Sequence, residues 1–423
     1  MIDPSHIADF PLKVVQRLQK AGYETYLVGG CVRDLLVGRT PKDFDIATAA
    51  RPNDIRRIVR RGRLIGKRFK LILVRDGGNK YEIATFRSSK MRVDRRGRRD
   101  FNIFGNPKED AQRRDFTINA LFYDPKTEKV LDYVGGREDL HRHLLRSIRR
   151  PSENYEEDSI RILRGLRIAG KLKLDIAEED YHEMVVRRNL LADASKDRIR
   201  EEVFKALKEG TMTSFCQQMI KSGVVEYVFP VACDYGSNEI EDLIVYLQSY
   251  DDNLPFKDFE LGVLVVWLPL AKRILRDSTI QINSVAEVGK QFKFLRDLKA
   301  LLRYSGQFTG SIAQVYYYWF QIRGRWIEDG VPETRKHQLH YDPHFFAALQ
   351  LALLEEELLG EETPVMQWIK KEIQACSKPK SIRHLPAGHR RGTTQQPRRQ
   401  SRFSKRGRKP YRRRGGGKGR GNS

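Results

Sequence analysis

Two hydrophobic patterns divide the chain near residue 150. Before it, short apolar or alternating runs lie between turn-forming residues: Tyr26–Val28, Leu71–Val74, Tyr81–Phe86, and a piece from Phe122-Tyr123 to near Val134. The turn signal Asp76-Gly77-Gly78-Asn79 between the second and third runs predicts a hairpin. Asn106, Pro107 and Glu109 stand at N-cap, first-turn and N3 positions, so a helix is expected to start there and run to about Asn119. From Ser152 onward apolar residues recur at helical spacing through 156–170, 177–190 and 195–209, with no strand signal. Further helices are expected at Ile240–Gln248, Phe259–Leu275, Val285–Tyr304, Ile312–Ile322 and Phe345–Leu359. The fold class is therefore α+β: one small mixed sheet, then an all-α remainder. The block Tyr316-Tyr317-Tyr318-Trp319-Phe320 reads as core packing in preference to a base-stacking platform.

Composition adds a partner and removes several classes. The chain of 423 residues has a formal net charge of +24, which suits a polyanion. Residues 378–423 hold 17 Lys/Arg and no Asp or Glu, so most of the excess sits in an Arg/Gly-rich tail that cannot fold alone. The apolar run Leu261–Ala271 is far short of the ~20 residues that span a bilayer, so no membrane is expected. The start MIDPSHIADF lacks the pattern of a signal peptide. Cys31, Cys216, Cys233 and Cys376 are scattered without a CxxC pair, which fits a reducing cytoplasm. His141, His143, His337, His340 and His344 read as surface residues rather than metal ligands.

Three segments carry the candidate chemistry. In LVGGCVRDLLVGRTPKDFDIAT (27–48) a strand runs into Gly29-Gly30, where missing side chains let backbone N–H groups approach a phosphate. Arg33 follows on a helix within reach of the same anion. The period of two in Asp43-Phe44-Asp45-Ile46 sets two carboxylates on one face and two apolar side chains in the core. Such a close acidic pair suits a hard divalent cation, and a cation beside a phosphate-binding turn suits nucleotidyl transfer. The second segment, EDAQRRDFTINALFYD (109–124), offers Arg113, Arg114 and Asp115 on an amphipathic helix. The third, YEEDSIRILRGLRIAGKL (155–172), buries Ile162, Leu163, Leu166 and Ala169, with Ile160 and Ile168 left on the charged side. Its Asp158, Arg161, Arg164 and Arg167 either form a solvated face or clamp a triphosphate and meet a base edge.

In their order, LVGGxVRD, DFD, RRDFTIN and EDxxRxxRxxR resemble the class II nucleotidyltransferases of the DNA polymerase β superfamily, which hold bacterial poly(A) polymerases and tRNA CCA-adding enzymes. The likeness covers about residues 10–210. It implies a polymerase β-like head (1–150) and a nucleotide-selecting and RNA-binding helical neck (151–210); helical periodicity adds an all-α body (211–376) and composition a disordered tail (377–423). It implies that Asp43 and Asp45 hold two Mg²⁺ ions, with Mn²⁺ as an alternative, and that Asp115 completes the acidic site. Glu82 competes with Asp115 for that third place. Gly29, Gly30, Arg33 and Arg114 would meet the nucleotide, and Asp158, Arg161, Arg164 and Arg167 its pocket. Ser195-Lys196-Asp197-Arg198, ahead of Glu201 and Lys205, resembles the later neck motif.

LIGKRFKLILV (64–74) resembles the stretch that marks the poly(A) branch, although Leu73, Ser159 and Ile168 replace that family's usual histidine, proline and phenylalanine. The expected function is addition of AMP from ATP to RNA 3′ ends, with pyrophosphate released. A CCA-adding enzyme using CTP and ATP is the alternative, and a non-catalytic RNA-binding protein on the same fold the third reading. A cytoplasmic monomer is expected, with RNA-degradation proteins as candidate partners. The basic stretch from Arg87 to Arg99 either guides RNA or triphosphate or is a solvated loop. Deleting residues 378–423 is expected to weaken RNA binding and flatten its salt dependence, while single-turnover chemistry on a bound primer stays unchanged; filter binding across salt and rapid-quench kinetics check the two halves.

Overall fold

The computed structural model describes residues 2–60, 62–66, 71–77, 79–88, 92–93, 99–100, 103–230, 235–253, 259–277, 281–291, 306–358, 360 and 362–376. The expected tail, Cys233, Leu359 and most of the Arg87–Arg99 stretch lie outside the described residues. The described residues fall within one compact unit. A mixed sheet forms the head, and a mostly helical body follows.

Seven strands build the head sheet: β1 (Thr25–Val28), β2 (Asp45–Thr48), β3 (Arg63–Ile65), β4 (Leu71–Asp76), β5 (Asn79–Thr85), β6 (Leu121–Asp124) and β7 (Lys129–Asp132). Their order is β3-β4-β5-β2-β1-β6-β7. The β4–β5 hairpin forms as expected, with Asp76 opposite Asn79. The single strand expected from Phe122 to Val134 is instead the β6–β7 hairpin, because Asp124 accepts the Lys126 N–H and the Thr127 hydroxyl and turns the chain. Alternate residues serve two cores. Leu27, Ile46, Ile72, Ile83 and Tyr123 pack with Val14, Val15 and Leu18 of the helix Asp9–Lys20. Tyr26, Val28, Ala47, Phe86 and Phe122 pack on the other face.

Strand direction gathers the chemical residues at one end of the sheet. β1 and β2 are antiparallel, so the C-terminal end of β1 at Val28 lies opposite Asp45 at the start of β2. β2 and β5 are parallel, with Asp45 opposite Glu82. Gly29 leaves β1 at φ +81° and ψ −136° and opens the helix Gly30–Leu36. A side chain is strained in that conformation, so glycine is required there.

The second motif folds differently from the expectation. Asn106 and Glu109 form the capping box, but the helix Pro107–Gln112 stops well before Asn119. Asp115 accepts the Phe116 N–H and the Asn119 side-chain amide, and this local bonding replaces helix with a turn and the 3₁₀ segment Thr117–Asn119.

The third motif forms the helix Ile160–Leu172. Ile160 and Ile168, expected on the charged side, are buried along with Arg167, because neighbours cover the helix on almost every side. Gly165 lies against Phe116, Leu145 and Met184, while Gly170 lies against Ser214 of the helix Met212–Lys221. A two-residue strand, Asp175–Ile176, pairs in parallel with Leu144–Leu145, although no strand is expected after Ser152.

In the body, the expected Phe259–Leu275 helix breaks at Trp267 into Phe259–Val266 and Leu268–Arg276, with Pro269 at the start of the second piece. Further helices span Ser237–Asn253, Gly306–Gln321, Pro343–Glu357 and Pro364–Ala375. The Val285–Tyr304 helix is described only as Val285–Gln291. Tyr316 and Trp319 are fully buried and bond Leu264 O and Glu355, so the aromatic block is core. His141, His143 and His337 are exposed, but His340 pairs with Glu372 and His344 is buried against Asp342; these two are not surface residues, because the packed C-terminal helices enclose them. Cys31, Cys216 and Cys376 are free and buried. No described helix is long and apolar enough to cross a membrane.

A Cβ at Gly165 would approach Phe116 Cζ to 2.9 Å and Met184 Cε to 2.6 Å, whereas one at Gly289 meets nothing within 4 Å. Gly165→Ala is expected to cost about 1–3 kcal/mol in urea unfolding. Gly289→Ala is expected to be neutral or to stabilise by up to about 1 kcal/mol.

Candidate active site

The sheet end and the helix Ile160–Leu172 face each other across a cleft of about 440 Å³. Gly29, Gly30, Arg33, Asp43, Asp45, Arg114, Asp115, Arg164 and Arg167 all line it. Asp43 lies in the bend just before β2 and Asp45 is its first residue, while Phe44 and Ile46 are buried as the period of two demands.

The acids at the sheet end crowd one another. The residue Asp45 opens on the cleft, yet surrounding protein displaces water from its carboxyl, and Glu82 and Asp43 repel its charge; together they raise its pKa to about 6 against the pull of Arg114. Burial also raises Glu82, with Glu201 and Asp43 adding to it and Lys205 opposing. Asp115 behaves oppositely. Burial works to raise its pKa, but Arg164 and bonds from Asn119 and Phe116 N outweigh that and hold it at about 2. Of the two candidates for a third carboxylate, Glu82 stands beside Asp45 across the sheet, whereas Asp115 is engaged by Arg164 at 2.7 Å.

That pair belongs to a closed ring of polar contacts. Asp115 accepts from Asn119 at 3.1 Å, and Asn119 accepts from Arg33 at 2.6 Å. Arg33 donates to Asp34, which pairs with Lys171 at 3.3 Å; Lys171 pairs with Glu209 at 3.3 Å. Glu209 meets Arg167 at 3.3 Å, Arg167 meets Glu202 at 2.8 Å, and Glu202 returns to Arg164 at 3.3 Å. Arg33 is only 5% exposed and Glu202 only 2%. The ring ties the head to the helices Ile160–Leu172 and Lys196–Glu209.

Asp158 and Arg161 are not among the lining residues. Asp158 accepts both terminal nitrogens of Arg198, at 2.8 and 2.6 Å. Arg161 donates to Asn154 Oδ1 at 2.6 Å and Glu157 at 2.8 Å. Arg114 is held by Asp110 at 2.9 Å and lies over the Phe122 ring. Asn119, Glu202 and Glu209 were not singled out from the sequence. Their signal is a matched spacing: Arg164, Arg167 and Lys171 on one helix answer Glu202 and Glu209, two turns apart on another.

The donor set fits a hard divalent ion. Among the described residues no three His, Cys, Asp or Glu side chains converge as they stand to hold one. Mg²⁺ suits this arrangement, since it keeps waters and takes one or two carboxylates plus substrate phosphates.

A family profile described as "Poly A polymerase head domain" matches residues 25–146, and one described as "Probable RNA and SrmB- binding site of polymerase A" matches residues 173–235. Poly(A) polymerase I of Haemophilus influenzae is 32% identical over 388 residues, spanning 86% of this chain and 83% of that protein. The chain belongs to the class II nucleotidyltransferase family of poly(A) polymerases and CCA-adding enzymes. Another relative in it, poly(A) polymerase I of Salmonella typhimurium, is 38% identical over 299 residues; that match spans 66% of this chain and 64% of the relative's length. The crystal structure of the Bacillus stearothermophilus CCA-adding enzyme with CTP shares the fold, with a TM-score of 0.62 over 86% of this chain and 82% of that one, at 22% identity.

Asp115→Asn is expected to destabilise the protein by about 3 kcal/mol near neutral pH, since Arg164 loses a buried counter-charge. Because the folded pKa of Asp115 lies below its unfolded value, its contribution is present above about pH 4 and fades as pH falls through about 2. Urea unfolding of both proteins against pH checks this: their difference is expected to shrink with acid.

Proposed function

We propose that this protein is a template-independent RNA nucleotidyltransferase that adds AMP from ATP to RNA 3′ ends and releases pyrophosphate. The observation that carries the reading is that Asp43 and Asp45 line one cleft with the Gly29-Gly30 turn, with Glu82 paired opposite Asp45 on the neighbouring strand. In this reading residues 1–150 act as the catalytic head, 151–210 as the neck and 211–376 as the body. Asp43 and Asp45 hold Mg²⁺, with Glu82 as the third carboxylate; Asp115 serves by orienting Arg164. The bound ions supply positive charge that activates the primer hydroxyl and offsets charge on the α-phosphate and the departing pyrophosphate.

The turn at Gly30 receives the triphosphate, since only hydrogen occupies the space beside Arg33 there, while the Gly29 N–H is bonded to Leu121 O and holds the turn to the sheet. The primer 3′-oxygen bonds the α-phosphorus as its bond to the pyrophosphate oxygen breaks, and the hydroxyl proton passes to water. Asp158 and Arg161, outside the residues that line the cleft and each held by protein partners, are assigned the base-reading role on the family likeness of their motif. A reader pinned at both ends suits one base more than alternation between two, and together with the likeness over 86% of the chain this favours ATP alone. The fold shared with a CTP-bound CCA-adding enzyme supports the second reading, addition of CCA to tRNA. RNA and ATP are the proposed partners, in the cytoplasm.

Purified protein with Mg²⁺, an RNA primer and each NTP separately is expected to give a long ladder with ATP alone. Addition limited to CCA on tRNA would establish the second reading instead. Asp43→Ala is expected to lower incorporation by more than about a thousandfold while leaving RNA affinity nearly intact, measured by primer extension and filter binding. Unchanged incorporation would overturn the metal-site assignment, and a wild type that binds RNA but incorporates nothing would favour the non-catalytic reading.

A further inference from the structure

The cations lining the cleft differ in their freedom to meet a new anion. Arg33, Arg164, Arg167 and Lys171 are all committed within the ring, bound to Asp34, Asp115, Glu202 and Glu209. Turning any of them towards a ligand would leave a buried carboxylate without its counter-charge, which a low-dielectric wall penalises. A nucleoside triphosphate brings several negative charges and needs cations that can move to it.

Lys205 has that freedom; Arg39 and Lys42 line the same cleft without a buried carboxylate partner too, but they stand on the connection before β2, beside the acids, rather than opposite them. Lys205 stands on the helix Lys196–Glu209, across the cleft from Asp43 and Asp45, and lines the same cavity. Its side chain is 48% exposed, and its Nζ is 3.7 Å from Glu202 Oε1, near the limit of an ion pair. Glu202 is already satisfied by Arg164 and Arg167. The charge of Lys205 acts on both Asp45 and Glu82 from the opposite wall. Four methylenes and a rotating ammonium let one lysine serve two anions in turn.

We propose that Lys205 is a mobile triphosphate-binding cation of this cleft, resting loosely against Glu202 in the nucleotide-free protein and turning to the β- and γ-phosphates when a nucleotide and its divalent ion enter. The proposal rests on reading the cleft as a nucleoside triphosphate site. It makes metal and nucleotide binding cooperative. Without nucleotide, the ammonium repels an incoming cation; with nucleotide, it is drawn away to the phosphates, and each ligand eases the other's entry by the same factor. After transfer the same cation holds pyrophosphate.

The test uses the full chain as wild type, Lys205→Met and Lys205→Arg, without primer so that no turnover occurs. Calorimetry measures ATP, AMP and inorganic pyrophosphate, and electron paramagnetic resonance measures Mn²⁺. Lys205→Met is expected to weaken ATP and pyrophosphate about tenfold, leave AMP within about twofold, and strengthen nucleotide-free Mn²⁺ binding about threefold. Lys205→Arg is expected to restore the two phosphate affinities. Unchanged ATP and pyrophosphate affinities, an equal loss for AMP, or a loss confined to RNA primer binding would each overturn the assignment. Thermal unfolding checks that the variant is folded, and Lys205→Gln replaces the methionine if it is not. A wild type that binds ATP and pyrophosphate but extends no primer would sink the polyadenylation reading while leaving the Lys205 comparison intact.

Discussion

Arg164 is the joint on which the cleft depends. One guanidinium meets Asp115 of the head and Glu202 of the helix Lys196–Glu209, and from there the ring of contacts runs through Arg167, Glu209, Lys171, Asp34, Arg33 and Asn119 back to Asp115. Desolvating so many charges cancels much of what their attraction returns, so the ring adds little net stability. Its effect is positional. Arg164 and Lys171 each have partners in the head and on the helix Lys196–Glu209, so head and helices share one arrangement in which most buried charges are satisfied. The cleft keeps its width because closing or opening it would strand several charges at once.

That arrangement separates two kinds of charge. The ring is almost self-neutralising, and its arginines are structural before they are anything else. At the sheet end the balance is acidic: Asp43 and Glu82 repel the charge of Asp45, and Arg114 and Lys205 oppose them. A raised Asp45 pKa is the mark of that imbalance, and a divalent ion relieves it more fully than a proton can, since it neutralises several carboxylates together. The strand register that assembles the site thus also leaves it with unbalanced negative charge.

Local signals in the sequence were sound where local chemistry decided the outcome. The glycine turn, the Asp43/Asp45 alternation, the β4–β5 hairpin and the Asn106/Glu109 capping box all form as their residues require. The helix expected to reach Asn119 ends at Gln112 because Asp115 bonds its own neighbours, a competition that helical periodicity does not reveal. Ile160 and Ile168 are buried because helices far along the chain cover them. The ring was illegible for the same reason: every ring contact except Arg33–Asp34 and Asp115–Asn119 joins residues distant in sequence. Arginines at spacing three read as a ligand clamp, and only their long-range acidic partners show that Arg164 and Arg167 are committed to the fold.

The same geometry separates chemistry from selection. Asp45 and Glu82 are set by backbone pairing between β2 and β5, so few side-chain changes elsewhere could move them. Asp158 and Arg161 depend instead on single side chains, Arg198 on one side and Asn154 and Glu157 on the other. On the proposed base-reading role of Asp158 and Arg161, a change at one of these supports would alter which base edge is met without disturbing strand register or the ring. Base preference is therefore the more easily altered property of such a cleft, and transfer chemistry the more constrained. One fold can then host both poly(A) polymerases and CCA-adding enzymes, since what must differ between them is held by a few side chains and what must stay the same is held by the sheet.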